Sequence, residues 1–463
     1  MELLIKNSTI VTSTRTYRAD ILIAEGKIKA IGEDLNPSAS SGHRLNHRLT
    51  DVIDATGKLV FPGGIDPHVH MHLPTPAGFS SDDFFTGSKA ALYGGTTTLI
   101  DFVTPSKGQS MVEALEHRIE DARNSLVDYS FHVSPIEWSD STEQEINECV
   151  QRGFPSFKVY MAYKSAIGID DDVLLKVLKA VVNAGGMVTV HAEMGDEIEL
   201  LRNKFFEEGK TEPLYHPLSR PPKTESDAVK RVIELANSVD CPLYIVHVST
   251  KESLYHIHSA QQKGQTVYAE TCPHYLLLDD SVYQGNFEET VKFVLSPPLR
   301  KKSDSDALWS AIVDGTVQTI GTDHCPFSFK QKLFGKYDFR KMPNGAGGVE
   351  HRLELLYTFG VLQNRITLNQ FVDITSTQAS KIFGLYPQKG EIAVGSDADL
   401  VVWDPKIERK ISAKNHQSAC DTSIFEGINT FGVAEITIRN GKIVGMGYED
   451  DSKGRILKRF NPL

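Results

Sequence analysis

Six side chains in this sequence have the types and the setting to hold metal ions. His68 and His70 lie two positions apart, and Lys158, His191, His247 and Asp323 follow at long intervals. Each comes at or just beyond a short apolar run rich in β-branched residues. Alone, each has an ordinary explanation. A His-x-His pair can be two surface side chains on one strand face, a lysine can snorkel to solvent, and an aspartate is favoured as a helix N-cap. A single histidine closing an apolar run is commonly a hydrogen-bonded core residue. Taken together, four imidazoles and a carboxylate form a nitrogen- and oxygen-donor set suited to zinc or a similar divalent ion.

Lys158 bears on the number of ions. A cationic lysine would repel a dication, and a metal-lined site disfavours its charged form. A neutral amine adds carbon dioxide to give a carbamate, which behaves as a bridging carboxylate. That chemistry points to two metals and to hydrolysis with Lewis-acid help at the electrophile.

These residues need elements that bring them together. The apolar runs are Leu59–Phe61 continuing into Ile65, Thr97–Val103, Tyr129–Val133, Ser156–Met161, Met187–Val190, Leu243–Val248, Thr266–Ala269 and Val317–Ile320. Helical stretches are predicted at Asp83–Leu92, Met111–Leu126, Asp171–Val182, Glu225–Ala236, Lys251–Gln262 and Asp304–Val313. Strands alternating with helices imply βαβ units and a parallel sheet. Eight such strands, with no Gly-x-Gly-x-x-Gly turn after any of them, favour an α/β fold of the closed (β/α)8 TIM-like barrel type. Barrel enzymes carry their sites at the carboxyl ends of the strands, so the six residues would converge on one cleft.

Both ends of the chain follow a different rhythm. Leu3–Val11, Tyr17–Ala24 and Lys27–Ile31 alternate as strands around a turn at Glu25-Gly26, and Ile438–Gly447 repeats the pattern of Ile23–Gly32. One hairpin alone is marginally stable. The two ends are therefore expected to meet in a small β-sandwich domain, built from residues 1–62 and 388–463, with the metallohydrolase barrel spanning 63–387. The polar stretch Asn36–Thr50 reads as a surface loop.

Composition narrows the function classes. With 49 Lys+Arg against 60 Asp+Glu the net charge is −11, which argues against a nucleic-acid partner. Five scattered cysteines without a Cys-x-x-Cys pair exclude a disulfide scaffold and a thiolate zinc module. No secretory leader pattern opens the chain and no apolar run reaches the ~18 residues of a membrane span, so a cytoplasmic location is expected.

Longer motifs carry a resemblance. Pro62-Gly-Gly-Ile-Asp-Pro-His68-Val-His70 resembles the metal motif of the amidohydrolase superfamily. Ser156-Phe-Lys158-Val-Tyr-Met-Ala-Tyr163 resembles the carboxylated-lysine strand of its dihydropyrimidinase/hydantoinase family, as do Leu295-Ser296-Pro-Pro-Leu-Arg300, Gly321-Thr-Asp323-His-Cys-Pro-Phe327 and Pro343-Asn344-Gly345. The resemblance runs from about residue 3 to the end. It implies that His68, His70 and Asp323 hold one metal and His191 and His247 the other, bridged by carboxylated Lys158 (N6-carboxylysine), with zinc expected. It further implies hydrolytic opening of 5,6-dihydropyrimidines or 5-substituted hydantoins to N-carbamoyl amino acids by a metal-bridging hydroxide. Asp323 would act as base and then acid, Tyr163 would donate to the oxyanion, and Ser296 and Asn344 would hold the ring amide. A homotetramer is also implied.

The sequence departs from that pattern at Met194, where the family often has Asn. Thr271-Cys-Pro-His274-Tyr is a spelling shared with allantoinases and dihydroorotases. Their Arg or Asn with Glu-Pro-Gly after the His-x-His pair is absent; Met71–Ser80 is mostly apolar or small, as suits an apolar ring substituent. A non-catalytic scaffold of the same fold would lack metal ligands, and all six positions are filled. His72, His132, His274 and His324 are assigned structural or supporting places.

Overall fold

The computed structural model describes residues 2–35, 50–444 and 452–460. Most of the predicted loop Asn36–Thr50 and the end of the C-terminal repeat, from residue 445, lie outside the described residues.

Eight parallel strands form a nearly closed barrel: β1 (Gly64–Val69), β2 (Thr96–Val103), β3 (Asp128–Val133), β4 (Ser156–Tyr160), β5 (Met187–His191), β6 (Leu243–Ile245), β7 (Val267–Thr271) and β8 (Thr319–Ile320). Closure comes from a parallel bridge between Val69 and His324, with His70 N–H donating to the His324 carbonyl at 2.8 Å. The strands read as continuous apolar or small runs because both faces are covered; all of Thr96–Val103 is buried. Alternate side chains divide between two cores. Leu99, Phe157, Val159, Val188, Val190, Leu243 and Ile245 join the large cluster that includes the helices. Ile65, Ile100, Met187, Tyr244 and Val246 instead share an inner cluster with Ala379, Ile382 and Phe383, which close the barrel floor.

The first predicted strand divides. Leu59–Pro62 does not belong to the barrel; it pairs antiparallel with Leu400–Lys410, Phe61 opposite Val401, in the other large sheet. The break falls at Gly63, where an added Cβ would lie 2.2 Å from Thr97 Oγ1, so the chain passes between sheets through a gap that fits no side chain.

That other sheet unites both chain ends in the order Lys442–Val444, Asn429–Arg439, Leu400–Lys410, Leu59–Pro62, Glu2–Val11, Thr16–Ala24, Lys27–Gly32, with Thr50–Asp54 also beside Glu2–Val11. Ile5, Ile21, Ile23, Val60, Leu400, Val402 and Ile438 form its separate core. The two repeated glycine turns meet there. Gly441 N–H donates to the Ala398 carbonyl, and Ala398 N–H donates to Gly26.

Predicted helices Asp83–Leu92, Asp171–Val182 and Lys251–Gln262 correspond to Phe84–Tyr93, Asp171–Asn183 and Lys251–Gln262. Asp83 caps the first through a capping box with Thr86. Sequence periodicity missed Thr142–Gln151 and Gly195–Glu207. No helix among the described residues is long and apolar enough to cross a membrane, and all five cysteines are buried and unpaired.

The C-terminal segment enters the barrel wall. Among the described residues β3 and β4 pair at a single position, Val133 with Phe157. Residues 454–459 fill the gap below it: Tyr129 N–H donates to Arg455, Leu457 N–H to Tyr129, and Arg459 N–H to Gly153. The buried Arg459 guanidinium donates to Ser130 Oγ and Ser156 Oγ at 2.9 and 2.8 Å.

Candidate active site

The strand-end residues line one cavity of about 940 Å³. His68, His70, Lys158, Tyr163, His191, His247, Ser296, Asp323 and Asn344 all face it. Strict alternation accounts for His68 and His70 (flanking outward Val69), Lys158 and His191. It does not account for His247, because Leu243 and Ile245 point outward and position 247 should follow them. A left-handed backbone at His247, φ 41°, breaks the alternation, and its ring sits 4.7 Å from that of His191. Tyr163 and Asp323 also hold positive φ, 58° and 49°. Non-glycine residues in that region are uncommon and concentrate where a side chain must be aimed.

His68, His70 and Asp323 form one group whose candidate ligand atoms lie within 4.8 Å of one another. Asp323 Oδ1 is 3.1 Å from His68 Nε2 and 3.2 Å from His70 Nε2. The second group is His191 and His247, with Nδ1 and Nε2 facing each other at 2.9 Å. The His68 and His247 rings, 5.3 Å apart, connect the groups. Lys158 is buried between aromatic faces, its Nζ 4.6 Å from the Phe102 ring centre and 5.2 Å from that of Tyr160. Burial pulls its pKa down to about 8, against the opposing pull of Asp323 and Glu270.

Two buried carboxylates that sequence reasoning missed set the protons. Glu270 Oε1 lies 2.6 Å from His68 Nδ1 and also accepts from His247 N–H and, through Oε2, from the Tyr244 hydroxyl. Glu193 Oε2 lies 2.7 Å from His191 Nε2 and pairs with Arg220. Burial alone would raise the Glu193 carboxyl, but Arg220 and His191 hold it down at about 2. A carboxylate at one imidazole nitrogen fixes the proton there and leaves a lone pair on the other. The lone pairs are then on His68 Nε2 and His191 Nδ1. His68 Nε2 is buried without a hydrogen-bond partner and faces a carboxylate oxygen, an acceptor opposed to an acceptor. Such a pair is repulsive unless a proton or a metal ion lies between. Against burial, Glu270 and Asp323 raise the His68 pKa, so the pair draws positive charge, and this donor set fits a divalent metal. Burial also lowers the pKa of His70, His191 and His247, keeping them in the neutral form that binds metal.

The rest of the cavity is lined partly by apolar side chains. Leu73, Pro74 and Phe79, from the apolar segment expected to border the substrate, line it, and Phe79 stacks on His72 with centroids 4.0 Å apart. His72 therefore borders the cavity itself. His132, His274 and His324 do not line it. His132 bridges Ser156 Oγ and the Pro67 carbonyl, and His324 contacts Asp82.

The arrangement is a (β/α)8 barrel whose candidate metal ligands lie on or just beyond β1, β4 and β5 and beyond β6 and β8. The model of the amidohydrolase family matches residues 59–444. The D-hydantoinase of Geobacillus stearothermophilus is 45% identical over 470 residues, covering 99% of this chain and 97% of that protein. The dihydropyrimidinase of Rattus norvegicus is 41% identical, covering 96% of this chain and 85% of that protein. The crystal structure of dihydropyrimidinase from Brevibacillus agri NCHU1002 superposes with a TM-score of 0.95 at 43% identity, covering 100% and 99% of the two chains. This chain belongs to the amidohydrolase family, in its hydantoinase and dihydropyrimidinase group.

Proposed function

We propose that this protein is a metal-dependent cyclic amidase that opens 5,6-dihydropyrimidines or 5-substituted hydantoins to N-carbamoyl amino acids. The observation that carries the reading is that six residues expected at strand ends and three implied by the family resemblance all line one cavity, in a chain whose relatives are hydantoinases and dihydropyrimidinases. His68, His70 and Asp323 would hold one ion and His191 and His247 a second, with carboxylated Lys158 between them. Bound there, two divalent ions, zinc in our assignment, would make water nucleophilic at neutral pH and polarise the ring carbonyl.

The protein supplies the remaining steps. Lys158, its charge disfavoured by burial, presents a neutral amine to carbon dioxide and loses a proton on forming the carbamate. Asp323 takes a proton from the attacking water and returns it to the ring nitrogen as the C–N bond breaks. The Tyr163 hydroxyl donates to the oxygen that gains charge. Ser296 and Asn344 hold the ring amide through their backbone groups, while Leu73 and Phe79 receive the ring substituent. The same family reading assigns a homotetramer in the cytoplasm.

The test is one preparation assayed for metal content and for rates on dihydrouracil, 5-substituted hydantoins, allantoin and dihydroorotate. We expect divalent metal approaching two equivalents per chain and preference for the first two classes. Preference for allantoin or dihydroorotate, full turnover by metal-free protein, or no turnover by metal-loaded protein overturns the reading.

A further inference from the structure

Lys332 is fully buried, yet among the described residues it makes no ion pair. Its Nζ instead donates to three backbone carbonyls: Val294 at 2.8 Å, Pro343 at 2.8 Å and Gly345 at 2.9 Å. An ammonium has three N–H groups and no acceptor, so this cradle saturates it. Burial draws its pKa down to about 7, while three carbonyl dipoles converging on Nζ favour the charged form. A buried cation without a counter-ion is costly, and the carbonyls it collects are not random. They come from the two segments that carry Ser296 and Asn344 to the cavity wall. Gly345 N–H also donates to the Val294 carbonyl at 3.0 Å, and an added Cβ on Gly345 would lie 2.4 Å from the Cys325 carbonyl. The two segments are therefore joined directly by a backbone hydrogen bond, Gly345 is packed against the Cys325 carbonyl, and the ammonium ties both segments from behind.

We infer that Lys332 is a positioning residue for substrate recognition, clamping the Val294–Ser296 and Pro343–Gly345 segments so that their backbone groups meet the ring amide in one fixed geometry. It touches neither the ring nor the candidate metal ligands. The inference rests on the cyclic-amidase reading above and adds which group sets that reading's binding geometry.

The test uses full-length, metal-loaded protein with dihydrouracil. Lys332→Met keeps the length of the stem and removes the three donors. KM should rise about tenfold or more, with kcat within threefold of wild type and metal content unchanged. Lys332→Gln, which restores part of the donor set, should fall between wild type and Met, and it serves alone if the Met variant does not fold. A lower melting temperature with KM unchanged would mean a merely structural role and overturn the inference. So would a loss confined to kcat or to metal content. Failure of the underlying reading looks different, because wild-type protein would then turn over neither ring class.

Discussion

A histidine holds a cation only through a ring nitrogen that carries no proton, and in this site two buried carboxylates choose that nitrogen. Glu270 fixes it for His68 and Glu193 for His191. The candidate ligands were legible because each ends an apolar run, and alternation along the strand aims His68, His70, Lys158 and His191 inward. Glu270 was not singled out, since it follows Thr266–Ala269 as an unremarkable polar strand end. Its signal is parity: Ala269 packs in the outer core, which turns position 270 into the barrel, where an acid needs a partner. Lys158 is the residue on which the proposed two-metal chemistry turns. Lys158→Ala should lose the bridging ligand, drop metal content below two equivalents and abolish turnover, with partial rescue by short carboxylic acids that occupy the vacated space. Metal analysis beside a rate assay checks this, and unchanged metal and rate would rule out the carbamate.

At the scale of elements, the short helix Phe329–Lys332 ties two rims of the cavity at once. Lys332 reaches the segments behind the ring amide, while Gln331 Nε2 donates to the Phe79 carbonyl at 2.6 Å in the apolar hairpin Pro74–Phe79. Gln331→Ala should loosen that hairpin without touching the ligands. We expect KM for a 5-phenyl hydantoin to rise severalfold, while KM for unsubstituted dihydrouracil stays within twofold. Equal effects on both substrates would show that the hairpin does not read the substituent. The long, strongly periodic helices were legible in the sequence, as was the strand–helix alternation. The first strand was misread because Leu59–Ile65 is one apolar run shared by two sheets, and only the tight passage at Gly63 divides it. His247 faces inward through a backbone angle that no alternation pattern encodes.

For the whole molecule, the buried neutral histidines make stability depend on pH. Burial pushes His132 and His216 well below the ordinary imidazole value of 6.5 and His274 to about 4. The unfolded chain therefore binds more protons than the folded one below pH 6.5. Stability from these groups is fully present above 6.5 and is lost as pH falls from there towards 4 and below. For metal-free protein, the urea midpoint at pH 5 should lie clearly below that at pH 7.5. An unchanged midpoint would mean that these imidazoles are solvated or charged in the folded state.

The wedge formed by residues 454–459 also has a consequence in time. A chain is made from its N-terminus, and β3 and β4 are synthesised long before the segment that fills the gap between them. Glu2–Val11 and Leu59–Pro62 likewise wait for Leu400–Lys410 before their sheet is complete. The wall that carries Lys158 cannot be finished before residues 454–459 have been made, nor the sheet beside the barrel before Leu400–Lys410. Completing the barrel wall thus waits for the segment around Arg459, and a substitution that weakens its docking would act on a late step of folding.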